Sequence, residues 1–267
     1  MSIPLYQVDA FTEKPFAGNP AAVCLLEPSI SDELMQKIAA EMNLSETAFV
    51  QKISDNRYNL RWFSPMVEVD LCGHATLATA FVLFSENLVS KNSVIEFATR
   101  SGILKTAWNA GKISMEFPYE LEQPVEIPAD LEKALGARAI YIGRNRMDYL
   151  VELESEMVVR NLQPDLNLLS QIETRGVIVT ARSHHAEYDF VSRMFGPRVG
   201  ISEDPVTGSA HCCLGPYWSK KLGKQNLVGY QCSARGGFVG VSLQPNHVTL
   251  SGHAALVFKT ALRQIEQ

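Results

Sequence analysis

The chain has 267 residues, 46% of them apolar, and a formal net charge of -5 at pH 7, enough apolar material for one large core or two small ones without staples. The acidic balance excludes the basic stripe that nucleic acid requires, and no stretch reaches the roughly 18 apolar residues that span a bilayer. The first residues lack a basic segment followed by an apolar run, and the five cysteines are odd in number with Cys212 and Cys213 adjacent, which points to a cytoplasmic chain with reduced thiols.

In chain order, Pro4 to Asp9 reads as a strand, Gly18-Asn19-Pro20 as a turn and Ala21 to Leu26 as a second strand. Ser31 caps a helix running to about Met42, with Leu34, Ile38 and Met42 on its apolar face. A strand over Tyr58 to Phe63 leads through a Pro turn and a Gly-containing loop into an apolar helix, Ala75 to Phe84, followed by strands at Ser93 to Thr99, Gly102 to Ala107 and Lys112 to Phe117. The same succession returns: a strand over Tyr188 to Met194, a helix over Ala210 to Leu222, then strands at Gly229 to Ser233, Gly237 to Leu243 and His247 to Leu250. The His184-His185 pair falls in a polar loop, and neither CxxC nor HExxH spacing occurs, so no metal is expected.

The return is visible in the residues themselves. A shift of 135 positions lays Cys72-Gly73-His74-Ala75 on Thr207-Gly208-Ser209-Ala210, Arg100-Ser101-Gly102 on Arg235-Gly236-Gly237, and Ile113-Ser114-Met115 on Val248-Thr249-Leu250. Upstream, Phe63-Ser64-Pro65-Met66-Val67 matches Phe195-Gly196-Pro197-Arg198-Val199 with a three-residue slip, which places an insertion in the second copy around Ser202 to Pro205, carrying Asp204. The pattern predicts an α+β fold of two pseudo-symmetric lobes, each a mostly antiparallel sheet around a central helix. They divide near Tyr119 to Ala134 into 1-120 and 121-267, with the C-terminal segment free to return to the first lobe. A small ligand is expected in the cleft between them.

Gly73 and Gly208 each open a helix, where backbone N–H groups without intrahelical partners and the positive end of the macrodipole favour an anion. Near them in the sequence lie Glu46, in Leu44-Ser45-Glu46-Thr47-Ala48-Phe49, His74 in the first Gly loop and Asp204 before the second. Carboxylates and an imidazole suit proton transfer beside a substrate carboxylate. Singly, each has an ordinary structural explanation: a solvated turn residue, a helix cap, a turn former ahead of Pro205.

As an ordered set, Val8-Asp9-Ala10-Phe11, Phe16-Ala17-Gly18-Asn19-Pro20-Ala21-Ala22-Val23, Asn43-Leu44-Ser45-Glu46-Thr47-Ala48-Phe49, Leu71-Cys72-Gly73-His74-Ala75-Thr76-Leu77-Ala78 and Glu203-Asp204-Pro205-Val206-Thr207-Gly208-Ser209-Ala210 closely resemble the PhzF-like isomerases of the diaminopimelate epimerase fold, over nearly the whole chain. The resemblance implies a cofactor-free, homodimeric isomerase acting on a small anionic substrate. In that reading Glu46 shuttles the proton, His74, Asp204 and Ser209 complete the proton-handling set, Gly73 and Gly208 lie at the anion-binding loops, and Asn19 lines the pocket. The named member of the family isomerises a dihydro-hydroxyanthranilate, and the substrate of this chain stays open.

Two rivals remain. Epimerases of the same fold use one thiolate from each lobe, but Cys72 is matched by Thr207, whose hydroxyl is far too weak an acid to replace a thiolate; a dehydratase needing one thiol is compatible with the residues. A non-catalytic ligand-binding or protein-interaction role is the second, and the intact Glu46, His74 and Asp204 weigh against it.

Overall fold

The computed structural model describes residues 2–263. The described chain divides into two compact units, one formed by residues 2–116 together with 251–263, the other by Phe117–Leu250.

The first unit comprises β1 (Ile3–Ala10), β2 (Asn19–Leu25), α1 (Asp32–Met42), β3 (Glu46–Ser54), β4 (Arg57–Phe63), β5 (Glu68–Val69), α2 (Gly73–Ser85), β6 (Val94–Thr99), β7 (Gly102–Asn109) and β8 (Lys112–Phe117). The second comprises β9 (Gln123–Pro124), α3 (Leu131–Leu135), β10 (Ala139–Arg144), β11 (Asp148–Leu153), α4 (Glu156–Asn161), α5 (Leu166–Gln171), β12 (Gly176–Arg182), β13 (Phe190–Gly196), β14 (Ile201–Asp204), α6 (Gly208–Leu222), β15 (Asn226–Gln231), β16 (Gly237–Leu243) and β17 (Val248–Gly252). The final strand, β18 (Ala254–Leu262), returns antiparallel along β1.

The pairings repeat as faithfully as the elements do. In the first unit β1–β2 and β3–β4 are antiparallel while β2–β3 is parallel; in the second, β10–β11 and β12–β13 are antiparallel and β11–β12 is parallel. Strand β4 then pairs antiparallel with the short β5 and parallel with β6, and β13 does the same with β14 and β15. Each sheet is therefore mixed, with antiparallel pairs in the majority.

Helix α2 carries almost no polar residue after its first turn, and His74 to Ala80 and Val82 to Phe84 are all buried. A helix apolar on every face belongs inside, and the sheet curls around it. Helix α6 plays that part in the second unit despite Pro216 in its interior. A proline there has no N–H to give the carbonyl four residues back, and the released Cys212 carbonyl accepts the Glu120 N–H instead, at 3.2 Å.

Helix α1 is capped by Ser31 as expected; it buries Ile38 together with Met35 and Ala39, and Leu34 and Met42 pack partly covered against the same core. Two expectations need correction. Strand β13 starts at Phe190, two residues late, and β15 starts at Asn226, three early. The insertion also lies upstream of its expected place: Val69 pairs with Trp62 and Asp204 with Met194, so Asp204 is the counterpart of Val69. The extra residues form the 3-10 turn Pro197–Val199 and the approach to Ile201.

Candidate active site

The first loop is built from three segments. Gly18 (φ +65°) ends the β1–β2 connection where a Cβ would sit 2.1 Å from the Ala10 carbonyl oxygen, so only glycine lets Asn19 begin β2. Asn19 is fully buried there, opposite Ala10. Glu46 opens β3 beside Ala21, and Cys72 is the N-cap of α2 with extended backbone, φ -143° and ψ 111°. Two residues on, His74 points back toward both: its Nδ1 lies 3.5 Å from Cys72 Sγ and its Nε2 3.3 Å from Glu46 Oε2.

Burial sets the chemistry of this group. The His74 side chain is 7% exposed and that of Glu46 17%. Removal from water pushes the His74 pKa down to about 3, so the imidazole is neutral at neutral pH. A neutral ring has one donor and one acceptor nitrogen; Nδ1 is turned to the thiol and Nε2 to the carboxylate. The Nε2 approach to Glu46 misses hydrogen-bonding alignment, and Nε2 has no other partner among the described residues. His74 is thus within reach of the carboxylate without being locked to it.

Glu46, Cys72 and His74 also bring donor atoms within 4.8 Å of one another, the spacing of a possible metal cluster. The positive N-terminal end of α2, on which Cys72 and His74 sit, disfavours a cation there.

In the second loop Thr207 is the N-cap of α6, followed by Gly208 and Ser209. Asp204 ends β14, and its Oδ2 accepts the Thr207 hydroxyl at 2.5 Å. The fully buried Gln231 at the end of β15 binds the loop from beneath. Its amide oxygen accepts the Thr207 N–H at 2.9 Å, and its amide nitrogen donates to the Asp204 carbonyl at 2.7 Å and to Thr207 Oγ1 at 3.1 Å. Ser209 Oγ accepts from Arg175 at 3.1 Å. Sequence reasoning missed both Gln231 and Arg175, since neither lies in a recognisable motif.

The two loops are held by duplicated contacts. Arg61 of β4 forks onto Glu68 of β5 at 2.7 Å through each of two nitrogens, and Arg193 of β13 forks onto Glu203 of β14 at 2.7 and 3.0 Å. Ser101 Oγ donates to the Asp70 carbonyl at 2.8 Å and Ser233 Oγ to the Pro205 carbonyl at 2.7 Å. Thr76 Oγ1 donates to the carbonyl of N-cap Cys72 at 2.6 Å, and His211 Nδ1 reaches that of N-cap Thr207 at 2.8 Å. The five cysteines are all buried and unbridged.

The duplicated α+β unit whose central helices open on Gly loops is a fold that recurs in solved structures of other proteins. A probable proline racemase from Agrobacterium radiobacter shares that fold at a TM-score of 0.62 and 11% identity, over 99% of this chain and 93% of that one. The chain belongs to the PhzC-PhzF family, the phenazine biosynthesis-like proteins, which matches residues 8–260. It is 51% identical over 263 residues to an uncharacterized isomerase of Halalkalibacterium halodurans, covering 98% of this chain and 99% of the relative. The crystal structure of a PhzF family protein from Enterococcus faecalis superposes at a TM-score of 0.94 with 44% identity, over 99% of this chain and 100% of that one. No helix among the described residues is long and apolar enough to cross a membrane.

Proposed function

We propose that the protein is a cofactor-independent isomerase that moves a proton between carbons of a small carboxylate-bearing substrate, with Glu46 as the acid/base. The observation that carries this reading is the Glu46 carboxylate, largely shielded from water, 3.3 Å from an imidazole that burial keeps neutral. A base that must return the same proton works best with a partner that does not itself take the proton. His74 meets that condition, because its Nε2 lies 3.3 Å from the carboxylate and burial keeps the ring from becoming imidazolium. Asp204 and Ser209 complete the set, Gly73 and Gly208 open the anion-holding helices, and Asn19 lines the pocket. The working form is a cytoplasmic homodimer.

The test is deuterium incorporation in D2O, followed by NMR and mass spectrometry, on small amino and cyclohexadiene carboxylates with wild type beside Glu46→Gln. Exchange in wild type that disappears in the variant supports the reading; full exchange in the variant rejects it. One observation favours a second reading, chemistry at a single thiol: Cys72 Sγ lies 3.5 Å from His74 Nδ1. The imidazole that would take the thiol proton is held at a pKa of about 3, which makes the thiolate–imidazolium pair unfavourable, so proton transfer by Glu46 is the stronger reading.

A further inference from the structure

Resting on the proton-transfer reading above, we propose that Arg175 is a positioning residue: it fixes the Ser209 hydroxyl as a hydrogen-bond donor and so makes the second loop selective for a carboxylate. Arg175 directly precedes β12. Its Nε donates to Asp148 Oδ1 at 2.8 Å and its NH2 group to Asp148 Oδ2. The Asp148 carboxylate is wholly buried, so the guanidinium is held in one orientation by a fork that a flexible surface pair lacks. The remaining hydrogen of the same NH2 group is the one that reaches Ser209 Oγ at 3.1 Å.

A guanidinium has donors and no acceptor. Ser209 Oγ must therefore accept from Arg175, and its own hydrogen has to point elsewhere. Ser209 is the second residue of α6 and is partly exposed, and the first turn contains no acidic side chain; the carboxylates besides Asp148 that act on Arg175 are Asp204, which accepts the Thr207 hydroxyl, and Glu120. The hydroxyl hydrogen, the positive end of the helix and the guanidinium behind Ser209 together favour an acceptor that is negatively charged.

The neighbouring strand confirms how tightly Arg175 is aimed. A Cβ on Gly176 would come within 2.4 Å of Met194 Cε, 3.1 Å of the Phe195 carbonyl oxygen and 3.3 Å of Asp148 Oδ1. Glycine at the start of β12 is what lets Asp148 and Arg175 close on each other. The first loop carries the opposite charge in nearly the same place. The 135-residue shift lays His74 on Ser209, and the strand that faces His74 opens on Glu46, whereas the strand that faces Ser209 is preceded by Arg175.

The test is calorimetric titration with anthranilate and, as the uncharged control, aniline. Wild type should prefer anthranilate. Ser209→Ala should lose anthranilate affinity by roughly tenfold or more, the scale of one hydrogen bond to a charged group, with no change for aniline. Arg175→Lys, which keeps the charge but loses the fork, should lose most of the same selectivity, and Ser209→Ala/Arg175→Lys should be no worse than Ser209→Ala alone. In steady-state exchange by Arg175→Lys the loss should fall on KM more than on kcat, a split that general loosening of the fold does not produce. Multiplying losses in the double variant, wild-type anthranilate affinity in Ser209→Ala, or no preference for anthranilate in wild type would overturn the proposal; the Ser209→Ala result stands even if the Arg175 variant fails to fold. Failure of the proton-transfer reading is separately visible, as full exchange by Glu46→Gln.

Discussion

The two Gly loops share a scaffold and differ in what they present. Both follow a hairpin fastened by an Arg–Glu fork, both have a serine donating to the carbonyl two residues before the N-cap, and both tie the N-cap carbonyl to the residue four positions on. On that common frame the first loop places a neutral imidazole and a carboxylate, and the second a carboxylate, a hydroxyl and a guanidinium. The duplicated contacts are structural, and the differences between the loops are where chemistry has room to enter.

The sharpest way to break the comparison is to remove the carboxylate of the first loop. Glu46→Gln keeps the size and most hydrogen-bonding capacity of the side chain and deletes only its basicity, so deuterium exchange should fall by roughly 10³-fold, while thermal stability and anthranilate binding stay near wild type. Mass spectrometry in D2O reads the first, and calorimetry the second. A variant that loses both together would mean that Glu46 holds the loop and does not act on the substrate.

Both loops bury a histidine, and this gives the second largest effect, on stability against pH. Burial lowers His74 to about 3; it also lowers His211, to about 4, against a smaller opposing pull from the Thr207 carbonyl. In the unfolded chain both revert to about 6.5. Between those values the unfolded state binds more protons than the folded one, so the stabilisation is complete above pH 6.5 and declines as the pH falls toward 4 and then 3. Urea midpoints of wild type should drop across that window more steeply than those of His74→Gln or His211→Gln, each of which removes about one proton from the slope. Parallel curves would show that the two rings are protonated in the folded protein.

Gln231 marks the next difference. Strand β15 ends on it and grips the second loop, while β6 ends on Thr99, whose hydroxyl donates to the Gly102 carbonyl and fastens its own hairpin instead. Gln231→Leu should therefore leave the buried Thr207 N–H and Asp204 carbonyl unsatisfied and cost about 2–4 kcal/mol, measured by denaturant unfolding. Thr99→Val, at the end of the corresponding strand, should cost well under half of that, since its partner carbonyl is exposed to water. Equal losses would remove the asymmetry between the loops.

Much of this plan was legible in the residues. The 135-residue register located both central helices and the glycines that open them, because the Gly loops repeat and the residues that follow the first are apolar on every face. The pairing of Glu46 with His74 was expected only through family resemblance; 28 positions apart in sequence, they meet because β3 and α2 start at the same end of the first unit. The insertion was misplaced because the match of Pro65 to Pro197 was weighed above the 135-residue register, which lays Glu68 on Glu203. The Arg forks, which are contacts between strands, fix that equivalence. Arg175 and Gln231 were illegible for a related reason: a lone arginine before a strand and a glutamine at the end of one have no spacing that announces them, and only the burial of Asp148 and of Gln231 itself reveals what they hold.

The smallest expected effect concerns the residue at which the loops differ most in chemical reputation. Cys72 and Thr207 occupy the same N-cap, and neither uses its side chain to cap its helix. Thr207 Oγ1 donates to Asp204, whereas Cys72 Sγ faces an imidazole too weakly basic to ionise it. If the thiol only packs against His74, then Cys72→Ser, which keeps a donor of similar shape in contact with Nδ1, should slow exchange by less than about tenfold and leave its pH dependence unchanged, while Thr207→Val should act more strongly by releasing Asp204. A Cys72→Ser variant as inactive as Glu46→Gln would reverse that order and put the thiol, and with it the one-thiol chemistry of this fold, at the centre of the first loop.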